Sequence, residues 1–424
     1  MSCKNCNSKN LKKVVELNSQ PISSIFYNSK KKILKKYNID LYKCLKCHLV
    51  QFLRVIPVDK MYGTTYGYQS GISNLMVNHL KEKYNFLRKK KIIDKKSIIL
   101  DIGSNDGTFL NFFSKKNILL GVDPSLKKFE KNYNKHIYKI NNFFSETNIN
   151  NFFLKNNIKK KKFNLISSIA MFYDIPNPNT FCKNIYENLD TNGVWLCEFS
   201  YLPLMLKNLT YDQICHEHVT YYDLTVFKSI IEKNNLKLID IRINEINGGS
   251  IEVLCTRTDS SRKEKKSKIK NILEDEKKII LKSFTNFNYR INKSKKDLNN
   301  FFNKNNTKKI IGYGASTKGN IILNHCNISN KILPYICDAS KEKIGKFTPG
   351  SNIKIISKTK MRKLNPNYLL ILIWPFRKEV IKQEINYIKQ GGQLIFHLPK
   401  LHIINKYNYK DYLRKNIKFT SFKY

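Results

Sequence analysis

Acidic residues are scarce: 32 Asp and Glu stand against 77 Lys and Arg in 424 residues, a formal charge of +45. Such an imbalance raises nucleic acid first, because neutralisation of phosphates by Lys and Arg drives that binding. The basic residues are nevertheless dispersed in short runs such as Lys30–Lys32 and Lys159–Lys162, with no RNA-binding or helix-turn-helix signature beside them. Ala, Gly, Pro and Arg are few while Lys, Asn, Ile, Tyr and Phe abound, the bias of an A+T-rich coding sequence. The charge reads as a solvated surface, with a functional polyanion face as the lesser alternative, and no nucleic-acid partner is expected. Long apolar runs are also missing. The longest, Tyr368–Phe376, is about half of a membrane-spanning helix. Met1-Ser-Cys-Lys-Asn-Cys lacks the apolar stretch of a secretory signal, so a cytoplasmic enzyme or binding protein is expected, not inserted in a membrane. Disorder is excluded by the 12% of aromatic residues. The length allows two or three domains.

Three segments separate by pattern. Residues 1–60 carry paired cysteines and a Gln-Pro-Ile stretch. Residues 61–258 alternate short apolar runs with helical stretches. Residues 259–424 begin with Lys/Asn-rich sequence of near-helical apolar spacing, expected as two exposed helices up to about 309. A second strand–helix series follows: KKIIGYGAST, ILPYICD, YLLILIWPF and GGQLIFHLP. Alternation of this kind predicts an α/β protein with parallel sheets covered by helices.

Cys3 and Cys6 form one Cys-x-x-Cys pair, and Cys44 and Cys47 a second. Two such knuckles complete a tetrahedral thiolate site, so structural zinc is expected. Two disulfides are the alternative in an oxidising compartment. Four thiolates leave no open coordination position, and His48 beside Cys47 reads as a bystander. The other six cysteines read as core residues.

Ser97–Leu110, SIILDIGSNDGTFL, predicts a strand, a tight glycine turn and a helix. Asp101 ends the strand, Gly103 and Gly107 permit the turn, and Asn105 and Asp106 line its opening. The next strand, ILLGVD, ends at Asp123, 22 residues after Asp101, where a carboxylate can hold two ribose hydroxyls. The Asp-x-Gly-x-x-x-Gly spacing departs from the dinucleotide loop and resembles the S-adenosylmethionine loop of class I methyltransferases. Further strands are expected at 163–170 and 193–199. Glu198 falls at the carboxyl end of the last, where open α/β sheets bind ligands.

Residues 211–222, YDQICHEHVTYY, gather proton-transfer groups. Histidines two apart make a poor metal site, and His216, Glu217 and His218 are costly to bury together without a task. General acid–base work is the better reading, with Tyr222 at the substrate. In Asn247-Gly248-Gly249-Ser250 the glycines allow close approach of a ligand to the backbone. The second glycine loop, KIIGYGASTKGN (309–320), offers Ser316 and Lys318 as a phosphate grip at a helix N-terminus, ahead of a structural turn or a nicotinamide site.

Together CKNC, CLKCHLVQ, YGYQSG (66–71), LDIGSNDG, CHEHVTYYDL, NGGS and GYGASTKGN (312–320) make the chain resemble the three-domain nucleotide-sugar C-methyltransferases, which add a methyl branch to keto-deoxysugars. The resemblance spans nearly the whole chain. It implies a small N-terminal zinc-binding domain, a central class I methyltransferase Rossmann-like sheet and a C-terminal second Rossmann-like domain that helps close over the sugar nucleotide. S-adenosylmethionine and a nucleotide-sugar substrate are implied with it. By motif, His218 is the general base, Glu217 its catalytic neighbour, and Tyr66 or Tyr68 an active-site tyrosine. One departure is Cys215, where some members carry Tyr.

Overall fold

The computed structural model describes residues 1–30, 33–56, 61–62, 67–159, 162–280 and 283–414. Its centre is a seven-stranded sheet in the order Leu236–Asn244, Ser250–Arg257, Leu189–Ser200, Phe163–Ile169, Ile98–Ile102, Ile118–Val122, Tyr138–Ile140. The last five strands run parallel, and the first two close the sheet with antiparallel ladders. Ile98–Ile102 is buried at every position, as a parallel strand covered on both faces must be.

The C-terminal sheet has six strands, in the order Lys354–Ser357, Tyr335–Asp338, Ile310–Tyr313, Tyr368–Ile371, Gln393–Phe396, His402–Ile404. Its first five are parallel and its last is antiparallel. Between the two sheets run the helices Lys266–Ile280 and Ser283–Lys304. The second is amphipathic rather than merely exposed. Phe287, Ile291, Leu298 and Phe302 recur at helical spacing and are buried.

The N-terminal part is built of short strands: Leu11–Val15, Leu41–Cys44 and Val50–Gln51 in one sheet, with a separate Ser19–Pro21/Lys36–Asn38 ladder. The first sheet takes its fourth strand, Thr220–Tyr221, from 170 residues away, and pairs it antiparallel with Val50–Gln51. The segment holding the two histidines is thereby fastened to the cysteine-bearing part of the chain. Buried residues of this part, of the 202–221 segment and of the C-terminal sheet form one apolar cluster. No helix among the described residues is long and apolar enough to cross a membrane.

Candidate active site

At the carboxyl end of Ile98–Ile102 the chain turns through Gly103 (φ 73°) and Gly107 (φ 75°). A Cβ on Gly107 would lie 2.7 Å from the Tyr133 ring, so the position excludes a side chain on space as well as on φ. Tyr133 in turn donates to the Asn105 carbonyl at 2.9 Å and bonds Ser104 Oγ at 2.8 Å. The expected helix does not follow. Only a 3-10 turn, Leu110–Phe112, forms, because Phe109, Leu110 and Phe113 are drawn together into the core under the loop.

Asp123 Oδ2 accepts the Asn105 amide at 2.9 Å, and Oδ1 accepts the Ser125 amide at 2.7 Å. Oδ1 also accepts the Ser125 hydroxyl, so it is Oδ2 that keeps a lone pair for a ligand hydroxyl. Burial, with the Asp123 charge nearby, pushes the Asp101 carboxyl up to about 7 against a 2.6 Å hydrogen bond from Ser167. Asn105 and Asp106 do something the sequence did not suggest. Their side chains accept the Ser70 and Gly71 amides at 2.9 and 2.8 Å, and Asn105 Nδ2 donates to the Tyr68 carbonyl at 3.1 Å. They pin the Tyr68–Gly71 stretch across the loop.

One cavity of about 630 Å³ opens over this loop. Asp101, Gly103, Asn105, Asp106 and Asp123 line it, together with Glu217 and His218 and with Ser316, Thr317 and Lys318. Tyr68 and Asn247 also reach it. Gly107 stands behind the loop rather than on the wall. Tyr66 lies outside the described residues.

The turn Cys215–His218, closed by the His218 amide on the Cys215 carbonyl at 3.0 Å, sends the two histidines to different surroundings. His218 enters the cavity, its ring tilted by 45° against Tyr173 at 4.0 Å between centroids. Burial and the neighbouring Lys318 charge hold its imidazole down to about 3, against the opposing pull of the nearby Gln213 carbonyl. His216 is not on the cavity wall. Its Nε2 donates to the Gln20 carbonyl at 3.1 Å, and its Nδ1 accepts the Ser23 amide at 3.3 Å, so both nitrogens are spent on the N-terminal part.

Three carboxyl oxygens are buried without partners around His218: Glu217 Oε2, Asp174 Oδ1 and Asp212 Oδ1. Asp174 accepts the Tyr62 hydroxyl at 2.8 Å on its other oxygen, and burial raises it well above the carboxylate range. Asp212 accepts Trp374 Nε1 at 2.9 Å and is pushed up to about 6 by burial, against the pull of Lys318. Lys318 itself is lowered by burial. Ser316 caps the helix Thr317–His325 through the Gly319 amide at 2.9 Å. Tyr62, Asp174 and Lys343 escaped the sequence reading. Only Asp174 had a signal, its place just after the carboxyl end of the third parallel strand.

Three expectations need correcting. Tyr222 is fully buried against Phe172 at 4.9 Å between centroids and does not reach the cavity. Gly248 and Gly249, at φ 90° and 129°, admit protein rather than ligand: a Cβ on Gly248 would meet the Trp374 ring at 2.8 Å. Glu198 points away from the cavity into a closed ion network. It accepts His79 Nε2 at 2.9 Å, Lys83 Nζ at 2.5 Å and Asn244 Nδ2 at 2.8 Å.

Outside the cavity wall, Cys3, Cys6, Cys44 and Cys47 bring their sulfurs within 4.8 Å of one another, with Cys3–Cys47 at 3.4 Å and Cys6–Cys44 at 3.6 Å. Zn–S bonds of about 2.3 Å in a tetrahedron need sulfurs roughly 3.8 Å apart, so the four residues fit zinc. His48 is exposed and outside the cluster.

Residues 3–62 match the family described as "Putative zinc binding domain", 75–241 that described as Methyltransferase domain, and 245–399 that described as C-methyltransferase C-terminal domain. The curated C-methyltransferase NovU of Streptomyces niveus is 24% identical over 375 residues, covering 87% of this chain and 88% of its own. Among solved structures, the PH0226 protein of Pyrococcus horikoshii OT3 covers 45% of this chain and 94% of its own, at 16% identity and TM-score 0.34. A magnesium protoporphyrin IX methyltransferase from Synechocystis PCC 6803 covers 43% and 82%, at 8% identity and TM-score 0.31. With its cysteine cluster, its central methyltransferase sheet and its C-terminal parallel sheet in this order, the chain belongs to the S-adenosylmethionine-dependent C-methyltransferase family.

Proposed function

We propose that the enzyme methylates the carbon next to the ketone of a nucleotide-linked keto-deoxysugar, with His218 as the base. The observation that carries this reading is the single cavity shared by the Asp101–Asp123 loop, the Glu217–His218 pair and the Ser316–Lys318 helix start. A substrate that carries both a reactive ring and phosphates suits a cavity lined by both sets of groups.

Bound S-adenosylmethionine supplies an electrophilic methyl group to the carbanion. The glycine turn leaves room for it beside Asp101, and Asp123 Oδ2 offers an acceptor for a ribose hydroxyl. Asp123→Ala is expected to weaken its binding by about 1.5–3 kcal/mol, read by calorimetry. Unchanged affinity would place the nucleoside elsewhere.

The chain's own part is proton handling and positioning. His218 is neutral at working pH, so one ring nitrogen carries a lone pair. It takes the proton from the carbon acid. Glu217 lines the same cavity with one buried oxygen unpartnered, and its carboxylate is assigned to offset the imidazolium charge. The negative charge moving onto the ketone oxygen meets Lys318 and the protonated Asp174 held by Tyr62, which supply donors where Cys215 has no phenol. Ser316 and the helix start beside Lys318 grip the phosphates. His216 is left with a positioning role, holding the turn against Gln20 and Ser23.

Because Lys318 helps depress His218, Lys318→Met is expected to raise the His218 pKa from about 3 towards its ordinary value. The acid limb of the kcat profile should therefore move to higher pH, over and above any loss of substrate affinity. An unmoved limb would separate Lys318 from the base.

One zinc per chain is expected on metal analysis of natively purified protein. Cys44→Ser should speed hydrogen exchange at Thr220–Tyr221, which pairs with Val50–Gln51, while the 98–122 strands keep their protection. Protein purified without metal would overturn the assignment.

The test of the whole reading is mass spectrometry of keto-sugar nucleotides incubated with enzyme and S-adenosylmethionine. A gain of one methylene unit with the new methyl on carbon is expected. A methyl on oxygen or nitrogen would replace this reading by an O- or N-methyltransferase.

A further inference from the structure

A second, smaller cavity of about 160 Å³ lies where the strands Ser19–Pro21 and Lys36–Asn38 meet the helix Ser283–Lys304 and the end of the helix Thr317–His325. The methyl-transfer cavity and this one share no lining residue. Its chemistry comes from Gln20, Lys36, Lys295, Asn324, His325 and Asn327, and no acid lines it.

Two of these side chains are buried with nothing to bond. Gln20 is 4% exposed, and both its amide oxygen and its nitrogen lack partners. His325 is 8% exposed, and its Nε2 lacks one. Polar atoms removed from water without partners are a standing cost, which a bound polar group would relieve. Lys36 and Lys295 add positive charge. The Lys295 charge is felt at His325, whose imidazole it helps to lower to about 4, after burial. Asp40, which accepts the Leu17 and Asn18 amides at the cavity's edge, is ion-paired with Lys13 at 3.1 Å and does not neutralise these lysines.

We propose that this cavity is a binding site for a phosphate-type dianion, free phosphate or the phosphate group of a small monoester, held by Lys36 and Lys295 with hydrogen bonds from Gln20 and His325. The volume suits a phosphate and a few waters, each of which occupies about 30 Å³.

Occupancy would reach the catalytic segment by two contacts. The Gln20 carbonyl accepts His216 Nε2 at 3.1 Å, two residues before His218. On the other side, the His325 ring meets Tyr211 edge-on at 5.4 Å between centroids, at the start of the same segment. An anion that orders Gln20 and His325 orders both ends of the 211–218 stretch.

The test is calorimetric titration of the full chain with inorganic phosphate, and separately with glycerol 1-phosphate, at ionic strength fixed with chloride. A saturable phosphate site is expected, at least tenfold weaker in the Lys36→Gln/Lys295→Gln variant and unchanged in Lys318→Gln. Binding of both compounds would identify a phosphoryl site open to monoesters, and binding of phosphate alone a free-ion site. Hydrogen exchange across 211–218 should slow on adding phosphate to the wild type and not to the double variant. No saturable binding at millimolar phosphate, undiminished binding in the Lys36→Gln/Lys295→Gln/Lys318→Gln variant, or binding lost in Lys318→Gln alone would each overturn the proposal. None of these readouts depends on methyl transfer, so the sugar-methylation reading can fail while this one stands.

Discussion

Replacing His218 with Ala or Gln lowers methyl transfer by about 10²–10⁴-fold, the range that a positioned general base supplies. S-adenosylmethionine affinity stays near that of the wild type, because the loop Gly103–Asp123 is held by Tyr133, Asn105 and Ser125 and not by His218. The loss belongs to kcat, since the imidazole acts only as the carbon–hydrogen bond breaks. A second readout isolates that step. In deuterated water the wild type should carry deuterium into the ketone-adjacent carbon, and the variant should not. Near-normal turnover in His218→Ala, or deuterium exchange that survives it, would overturn the assignment. The pH behaviour follows from the depressed pKa: with His218 at about 3, lowering the pH from 8 to 5 does not protonate the base of the free enzyme. An acid limb within that range must come from another group, and Asp212 at about 6 and Asp101 at about 7 are the cavity carboxyls that titrate there.

The second large effect falls on stability. Lys83, on the helix Asn74–Lys89, is 1% exposed and sits between Glu198 and Glu252. Lys83→Met is expected to cost about 3–5 kcal/mol in chemical denaturation, the penalty for stranding buried charge. Arg242 still reaches Glu252 at 2.6 Å, and His79 and Asn244 still reach Glu198, which keeps the loss from being larger. The double variant Lys83→Met/Glu198→Gln should regain much of that loss, because Glu252 then stays paired with Arg242 and no unpaired charge is buried. The wild type also gives a pH signature. Glu198 is held at about 2 against its ordinary 4.5, the favourable charge of Lys83 and the His79 hydrogen bond outweighing burial. A depressed carboxyl stabilises the fold fully above its unfolded value, and that contribution is lost as pH falls from about 4.5 through 2. Lys83→Met removes the charge that depresses Glu198, so its destabilisation should be largest at neutral pH and shrink as pH falls and the buried carboxyl takes up a proton. A variant as stable as the wild type at neutral pH would show that the network contributes nothing net.

Glu198 shows why strand-end position alone misleads. Its sequence position was right for a ligand-facing carboxylate, yet its neighbours Lys83 and Asn244 come from distant parts of the chain and turn it inward. The YGYQSG stretch is a similar case. It reads as a source of tyrosines, whereas Asn105 and Asp106 use its Ser70 and Gly71 amides as anchors. Gly248 and Gly249 were legible as backbone without room for side chains. That the occupant of the room is Trp374 could not be read from NGGS.

What the sequence by itself determined is local and covalent in range. Two Cys-x-x-Cys knuckles can chelate because each holds its own thiolates on one turn. The Asp101–Gly107 loop and Asp123 meet because adjacent parallel strands leave no other register. The strand–helix alternation dictates two covered sheets. Only the tertiary structure decided which histidine is available to a substrate. His216 and His218 are two residues apart and chemically alike. One is consumed by Gln20 and Ser23 of the N-terminal part, and the other is turned into the cavity beside Tyr173 and Lys318. The physical reason is that a side chain's protonation state and accessibility depend on what packs against it. Here those neighbours come from three distant parts of the chain, joined when Thr220–Tyr221 completes a sheet begun at residue 11.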